Sequence, residues 1–348
     1  MSQTILITGG AGFIGSNLAD RFLQQGRKVI AFDNFSRYGA VHNTEWLRSN
    51  HGDAFSVIRG DVRDPGKEFQ RAVEKADVVL HLAAQVAVTT SVTDPRTDFE
   101  INALGTFNVL EAVRQSRSRP IVLYSSTNKV YGKMQNVETL ERNGAYAYKD
   151  LPFGIDESYP LDFYSPYGCS KGAGDQYVLD YARLYGLRTV VFRQSCIYGP
   201  RQFGIEDQGW IAWFTIASMQ NMPVTIFGDG KQVRDVLYIG DLAAAFDGAI
   251  RNIEHTAGQV YNIGGGPGNV LSLLQLVKIL NRELPRPVRY SFDQWRPGDQ
   301  HVFISDIRKA QRDFGWTPQV GVNQGVTELI KWTRQNEQLF SAQQAVGA

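Results

Sequence analysis

Short apolar runs alternate with longer amphipathic stretches along the first half of the chain. The runs Ile5–Thr8, Val29–Asp33, Phe55–Ile58, Val78–Leu82, Ile121–Ser125 and Thr189–Arg193 read as strands. Helical patterns lie between them, as at Asn17–Gln25 and Asp98–Gln115. Strand and helix in alternation predict right-handed βαβ crossovers and a parallel, doubly wound α/β sheet. Ligands of such sheets gather outside the C-terminal strand ends. Those ends carry Asp33, Asp61–Val62, Ala83–Ala84–Gln85, Ser125–Ser126–Thr127 and Arg193–Gln194–Ser195.

Past Arg193 the rhythm breaks. A turn at Tyr198–Gly199–Pro200 leads into the aromatic segment Gln208–Phe214, then strand-like pieces at Val224–Phe227 and Val236–Tyr238. Helical patterns resume at Gly240–Arg251 and Ser272–Glu283. The expected division is a cofactor-binding part over 1–193 plus about 236–263, and a smaller, irregular substrate-binding α/β part over 194–235 plus 264–348. No Ser/Gly-rich or charged run marks a linker between them. The stretch 131–162 is long for a connection and suits a lid or an insertion. Its tyrosines at 146 and 148, with Tyr159 and the nearby Tyr164, either line a site or pack the loop down. Trp210 and Trp213, three apart, read equally as ligand contacts or as core.

Thr4–Asn17 joins the first strand to the first helix through Gly9, Gly12 and Gly15. One glycine permits a sharp turn, one lets a phosphate approach the backbone, and one lets helix and strand pack closely. Free N–H groups at the helix start form an anion site for a pyrophosphate. The second strand ends in Asp33, eighteen residues after Gly15. A carboxylate there accepts hydrogen bonds from both ribose hydroxyls and repels a 2′-phosphate, which points to a Rossmann-type dinucleotide site taking NAD. Arg37 keeps NADP open, since an arginine can accommodate that phosphate.

Composition narrows the picture. With 36 basic and 35 acidic residues the net charge is +1, which gives no electrostatic reason to bind nucleic acid or an anionic membrane. No apolar run approaches the length of a membrane span, and the chain enters a strand within a few residues, leaving no room for a signal peptide. Two cysteines, Cys169 and Cys196, fit a reducing cytoplasm. Five scattered histidines predict no metal site. His81, at the end of the fourth strand, reads as a buried histidine with its partners satisfied.

The sharpest chemical signal after the glycines is Tyr164–Ser165–Pro166–Tyr167–Gly168–Cys169–Ser170–Lys171. Pro166 suits a first helical turn, so Tyr167 and Lys171 share a face. A phenol is a poor base at neutral pH unless a cation stabilises its phenolate; Lys171 and a nicotinamide would supply that charge. Tyr167 then removes a proton from a substrate hydroxyl as hydride leaves the same carbon. Thr127 holds the same hydroxyl or caps its strand.

These features span nearly the whole chain and resemble the extended short-chain dehydrogenase/reductases, especially the nucleotide-sugar epimerases and dehydratases. The matches are Thr8–Gly15, Asp33–Asn34, Asp61–Val62, His81–Gln85, Asn102, Ser125–Thr127, Tyr167, Lys171, Gly228–Asp235 and Arg296–Pro297–Gly298–Asp299. The resemblance implies catalysis by Tyr167, Lys171, Thr127 and Ser126. It implies a tightly bound, recycled NAD held by Gly9, Gly12, Phe13, Ile14, Gly15, Asp33, Asn34, Ser36, Arg37, Asp61, Val62, Leu82, Ala83, Ala84, Gln85, Asn102, Ser125, Tyr167, Lys171 and Gln194. A nucleotide sugar is expected at Gln85, Thr127, Asn128, Gln194, Ser195, Gln208, Gln232, Arg234, Arg296 and Asp299, the two arginines on its diphosphate or in structural ion pairs. The long helices Asp98–Gln115 and Pro166–Tyr185 form a dimer interface in the family, so a homo-oligomer, dimer or tetramer, is expected.

Dehydratases of the family follow the strand-end Thr with Asp and Glu. Here the run is Thr127–Asn128–Lys129, which lacks the acid and the carboxylate base. The runs Ser125–Gly132, Ser165–Gly172 and Asp207–Trp210 are similar to the subfamily of CDP-paratose (CDP-tyvelose) 2-epimerases. Their 3,6-dideoxyhexose has no C3 hydroxyl, so the direct route oxidises C2 and re-reduces the 2-ketosugar on its other face. A UDP-hexose 4-epimerase would use the same Tyr167, Lys171 and Thr127. A non-catalytic dinucleotide-binding protein stands further off, because such proteins typically lose the tyrosine or the lysine.

Overall fold

A computed structural model of the chain describes residues 2–296 and 299–341. Along the first half lie β1 (Thr4–Thr8), α1 (Phe13–Gln24), β2 (Lys28–Asp33), α2 (Ala40–His51), β3 (Phe55–Arg59), α3 (Gly66–Lys75) and β4 (Val78–His81). Next come α4 (Val88–Thr93), α5 (Pro95–Phe99), a π-helical turn (Glu100–Leu104), α6 (Gly105–Gln115) and β5 (Ile121–Thr127). A hairpin of β6 (Thr139–Arg142) and β7 (Ala145–Tyr148) precedes α7 (Pro166–Tyr185) and β8 (Thr189–Gln194). Beyond these are β9 (Cys196–Tyr198), α8 (Trp210–Met219), β10 (Val224–Phe227), β11 (Val233–Tyr238), α9 (Ile239–Arg251) and β12 (Gln259–Ile263).

Seven strands form one sheet in the order β12-β8-β5-β4-β1-β2-β3, every neighbouring pair parallel. Successive side chains of a strand feed opposite faces. Ile5 and Ile7 join Phe22 of α1 and Phe246 of α9 on one side, while Leu6 joins Phe69 of α3, Val109 of α6 and Val178 of α7 on the other. Burial on both faces is why these strands are apolar throughout. The strand order reverses between β1 and β4, which opens a crevice at their C-terminal ends.

All six expected strands are present. Helix α1 begins at Phe13 rather than Asn17, because Gly12, extended at φ −71°, ψ −179°, feeds the glycine turn straight into the helix. The helix expected over Asp98–Gln115 is divided by the π-helical turn. There Asn102 donates to the Gln85 carbonyl (3.0 Å), to Asp98 (3.1 Å) and to Ser170 (3.1 Å), binding this turn to the loop after β4 and to α7.

In the second half β9 lies parallel to β11. Helix α8, helix Leu273–Glu283 and helix Val322–Gln335 share a separate core around Phe214, Leu276 and Leu329, against which Trp210 and Trp213 rest half-buried. Ser272 starts its helix with a reciprocal capping box to Gln275. The 131–162 insertion packs down through its tyrosines. Tyr148 is buried and donates to the Val302 carbonyl (3.2 Å), Tyr146 stacks on His301 (centroids 4.7 Å) and donates to Asp229 (2.6 Å), and Tyr159 meets Tyr131 edge-on (6.2 Å). Tyr164 stays exposed with Lys133 over its ring (4.2 Å). Among the described residues no helix is long and apolar enough to cross a membrane.

Candidate active site

The glycine turn makes a cradle that side chains would fill. A Cβ on Gly15 would sit 2.2 Å from the Gly9 carbonyl oxygen, and one on Gly9 would sit 2.9 Å from the Ala83 nitrogen. Gly9 also holds φ +68°, where glycine is at home. Helix α1 has no side-chain cap and no acidic residue in its first turn, so its first N–H groups are free for an anion. Asp33 accepts hydrogen bonds from the N–H groups of Ala11 (3.0 Å) and Phe35 (2.8 Å). Burial pushes its carboxyl above the ordinary range, against those two donors.

Around this cradle lies a cleft of about 350 Å³, the size of small-ligand pockets. Gly9, Gly12, Phe13, Ile14, Gly15, Asp33, Asn34, Ser36, Arg37, Asp61, Val62, Leu82, Ala83 and Ala84 line it. Asn34 donates to Asp61 (2.9 Å), whose carboxyl is held down to about 2 by the Arg63 guanidinium. These residues and the glycine cradle fit a dinucleotide. The opposite wall, Arg201, Gln202, Phe203, Gly204 and Ile205, was foreshadowed in the sequence by nothing beyond the Gly/Pro turn before it. Asn43, which braces the turn by donating to the Ala11 carbonyl (3.1 Å), carried no sequence signal at all. Gln208, expected at the nucleotide sugar, lines this cleft and accepts a hydrogen bond from Arg37.

At the end of β5 the chain brings Tyr167, Lys171 and Thr127 together. Ser165, at φ +83°, caps α7 by accepting from the Gly168 N–H (3.2 Å), and Pro166 takes the first turn. The Tyr167 N–H donates to Ser91 Oγ (3.1 Å). All three side chains are buried, and the phenol is within hydrogen-bonding reach of Thr127. Desolvation lifts Tyr167 to about 12, with Thr127 pulling the other way. Lys171 is held down to about 7 by desolvation, opposed by Asp175 and Asp98. Its Nζ donates to the Ser125 carbonyl (2.6 Å) and lies over the Tyr124 ring (4.3 Å), so its direct partner is the strand end rather than the phenol. His81 pairs with Thr8 (2.7 Å) and Thr106 (3.0 Å), and burial drops it to about 3.

Ser126 is not part of this cluster. Alternation along β5 sends its hydroxyl to Asp175 (2.7 Å), which also forms a buried ion pair with Arg193 (2.9 Å). Gln85 likewise spends its amide inside the protein, donating to the Ala87 carbonyl (2.8 Å) and to Asp98 (2.9 Å) and accepting from the Ala87 N–H. Asn102 serves the π-helical turn, and Ser195 donates to Asp235.

On the substrate side, Gln194 Nε2 and Gln232 Oε1 are buried with no hydrogen-bond partner among the described residues, the state expected of atoms waiting on a ligand. Arg234 pairs with Asp299 (2.5 Å), and Arg296 pairs with Asp207 (3.0 Å) while lying over the Phe227 ring (4.0 Å). Pro297 and Gly298 lie outside the described residues. Asn128 is buried beside Thr127, whose hydroxyl it accepts weakly (3.4 Å).

A glycine cradle at the strand-order reversal, with a buried Tyr–Lys–Thr group beside it, defines a dinucleotide-dependent enzyme of the extended short-chain dehydrogenase/reductase kind. Residues 5–264 match the NAD dependent epimerase/dehydratase family, and the chain belongs to it. The chain is 48% identical to the CDP-paratose 2-epimerase of Salmonella typhi over 94% of this chain and 98% of that protein. It is 32% identical to a UDP-glucose 4-epimerase of Mycolicibacterium smegmatis over 96% and 99%. In three dimensions it resembles the Bacillus cereus UDP-glucuronic acid 4-epimerase solved with UDP-glucuronic acid and NAD. That match has a TM-score of 0.81 at 27% identity, covering 96% of this chain and 99% of the other.

Proposed function

We propose that this protein is an NAD-dependent nucleotide-sugar epimerase that inverts C2 of a CDP-3,6-dideoxyhexose, interconverting CDP-paratose and CDP-tyvelose. The observation that carries this reading is the buried pair of Tyr167 with Thr127 at the end of β5, followed in the chain by Asn128 and Lys129 rather than by two carboxylates. The 48% identity to a CDP-paratose 2-epimerase supports the choice of sugar.

Thr127 and Tyr167 hold the O2 hydroxyl, and Tyr167 takes its proton. NAD, which Gly9, Gly12, Gly15 and Asp33 would hold in the cleft, would supply the hydride acceptor, its positive ring and the hydride for re-reduction. Lys171 keeps a positive charge close to the strand end and favours the phenolate. The 2-ketosugar turns over within the site, and Tyr167 returns the proton. Asn128 and Lys129 offer no carboxylate to draw a proton from the sugar ring, so the ketosugar is not steered into loss of water. Because the cofactor ends each cycle unchanged, the enzyme keeps it bound. Residues 1–193 with about 236–263 hold NAD, and the remainder grips the nucleotide sugar through Gln194, Gln232, Arg234 and Arg296. Helices α5–α7 pair two copies of the chain into an oligomer.

Incubating the purified protein with CDP-paratose, UDP-glucose and UDP-galactose tests the reading. Conversion of CDP-paratose to its C2 epimer without added cofactor is the expected result. Turnover of a UDP-hexose at C4 alone would move the protein to the 4-epimerases, and no turnover of any nucleotide sugar, with NAD bound, would return it to the non-catalytic dinucleotide binders.

A further inference from the structure

Among the described residues Lys129, two positions beyond the end of β5, has no ion-pair partner. Its backbone N–H donates to Thr127 Oγ1 (3.2 Å), so it is tied to the group that pairs with Tyr167. At the end of its side chain, Nζ is half-buried and reaches the amide oxygen of Gln300 (3.4 Å). Gln300 is itself anchored, donating to the Gly132 carbonyl. The ionisable groups nearest Nζ are Arg234, Asp299 and the Cys196 thiol. Asp299 is already paired to Arg234 and also accepts from the Gln300 N–H (3.0 Å). Two cations therefore converge on one committed carboxylate, and the cluster is short of negative charge.

The geometry points to Lys129 as a direct ligand of the nucleotide sugar's diphosphate and as a determinant of which sugar carbon meets Tyr167. The inference rests on the C2 reading above and deepens it. In a nucleotide sugar the diphosphate is carried on C1, the immediate neighbour of C2. Chemistry at C2 therefore holds the phosphate close to the Tyr167–Thr127 pair, whereas chemistry at C4 turns the phosphate to the far side of the ring. A cation two residues beyond Thr127, on the same short turn, suits the first arrangement. Lys129 and Arg234 together then take the phosphate oxygens, and the anion in turn relieves the repulsion between them.

Burial and Arg234 hold the Lys129 ammonium down to about 8, against the pull of Asp299. Burial pushes the Cys196 thiol above its ordinary range, so Lys129 loses its charge between pH 7 and 9 while the thiol stays neutral.

The test is the affinity of the NAD-loaded protein for CDP, by calorimetry at pH 7 and pH 9, in the wild type, Lys129→Met and Lys129→Arg. Lys129→Met is expected to weaken CDP binding about tenfold or more at pH 7, with NAD still bound. Wild-type affinity falls on going to pH 9, and Lys129→Arg, whose cation does not titrate there, retains affinity at both pH values. Wild-type affinity in Lys129→Met at pH 7, or the same loss at pH 9 in Lys129→Arg as in the wild type, would overturn the assignment. If UDP binds in place of CDP with the same pattern across variants, the role of Lys129 stands and the cytidine reading falls.

Discussion

The Tyr167 phenol, on the first turn of α7, lies within hydrogen-bonding reach of Thr127 at the end of β5, and both side chains are buried. A hydroxyl placed between them meets one proton acceptor and one orienting partner. Tyr167→Phe removes the acceptor and keeps the ring, so turnover should fall by at least about a hundredfold while NAD stays bound. Steady-state rates together with the NAD content of the purified variant check both halves of this expectation. A variant with wild-type turnover would remove Tyr167 from the chemistry.

Burial of Lys171 couples folding stability to pH. Its pKa drops from 10.5 to about 7 on folding, chiefly by desolvation. Between those values the unfolded chain binds the extra proton, so the cost of burying this lysine is full below pH 7 and is relieved as pH rises towards 10.5. Urea unfolding of the cofactor-free protein should therefore show the wild type gaining on Lys171→Met between pH 7 and pH 10. Parallel pH profiles for the two would contradict this.

Asp33 should decide between NAD and NADP. Its carboxylate is already fixed by two backbone donors, and Arg37 lines the same cleft. Asp33→Asn loses the charge that repels a 2′-phosphate, leaving Arg37 to receive it. NAD affinity should fall about tenfold and NADP affinity should rise, as read by fluorescence titration. Unchanged preference would make Asp33 a brace for the glycine turn and nothing more.

The outer faces of α5–α7 carry large apolar side chains in the open. Phe99 is 58% exposed, Tyr177 47% and Leu184 69%, and Phe107 meets Tyr177 edge-on at 6.1 Å. If two copies pair here, the double variant Phe107→Lys, Tyr177→Lys should run as a monomer in gel filtration where the wild type runs as a dimer or larger. A wild-type monomer at micromolar concentration would refute the pairing.

Local chemistry was legible in the sequence wherever the partners are close in the chain. The glycine turn, the position of Asp33 and the i, i+4 pair of Tyr167 and Lys171 behind Pro166 could all be read directly, because each is set by strand and helix geometry. Ser126 could not. Its direction depends on the pleat of β5 and on Asp175, forty-nine residues away, and a hydroxyl next to Thr127 carries no local sign of that partner. Gln85 misled for a related reason, since the partner that absorbs its amide, Asp98, sits beside a π-helical turn that a helical pattern does not announce. Arg201–Ile205 was out of reach because an irregular segment folding back over the cleft has no periodicity to read. The partner of Gln208, Arg37, lies 171 residues away, a pairing that no local pattern announces.

The central claim is that hydrogen leaves C2 of the sugar and returns to the same carbon inside one closed site. CDP-paratose carrying deuterium at C2, turned over in ordinary water, tests it directly by mass spectrometry and NMR of the CDP-tyvelose formed. The product is expected to keep its deuterium at C2, with no NAD added and none consumed. Deuterium lost to water would contradict it, because the inversion would then proceed by removing a proton from C2 rather than by oxidising it.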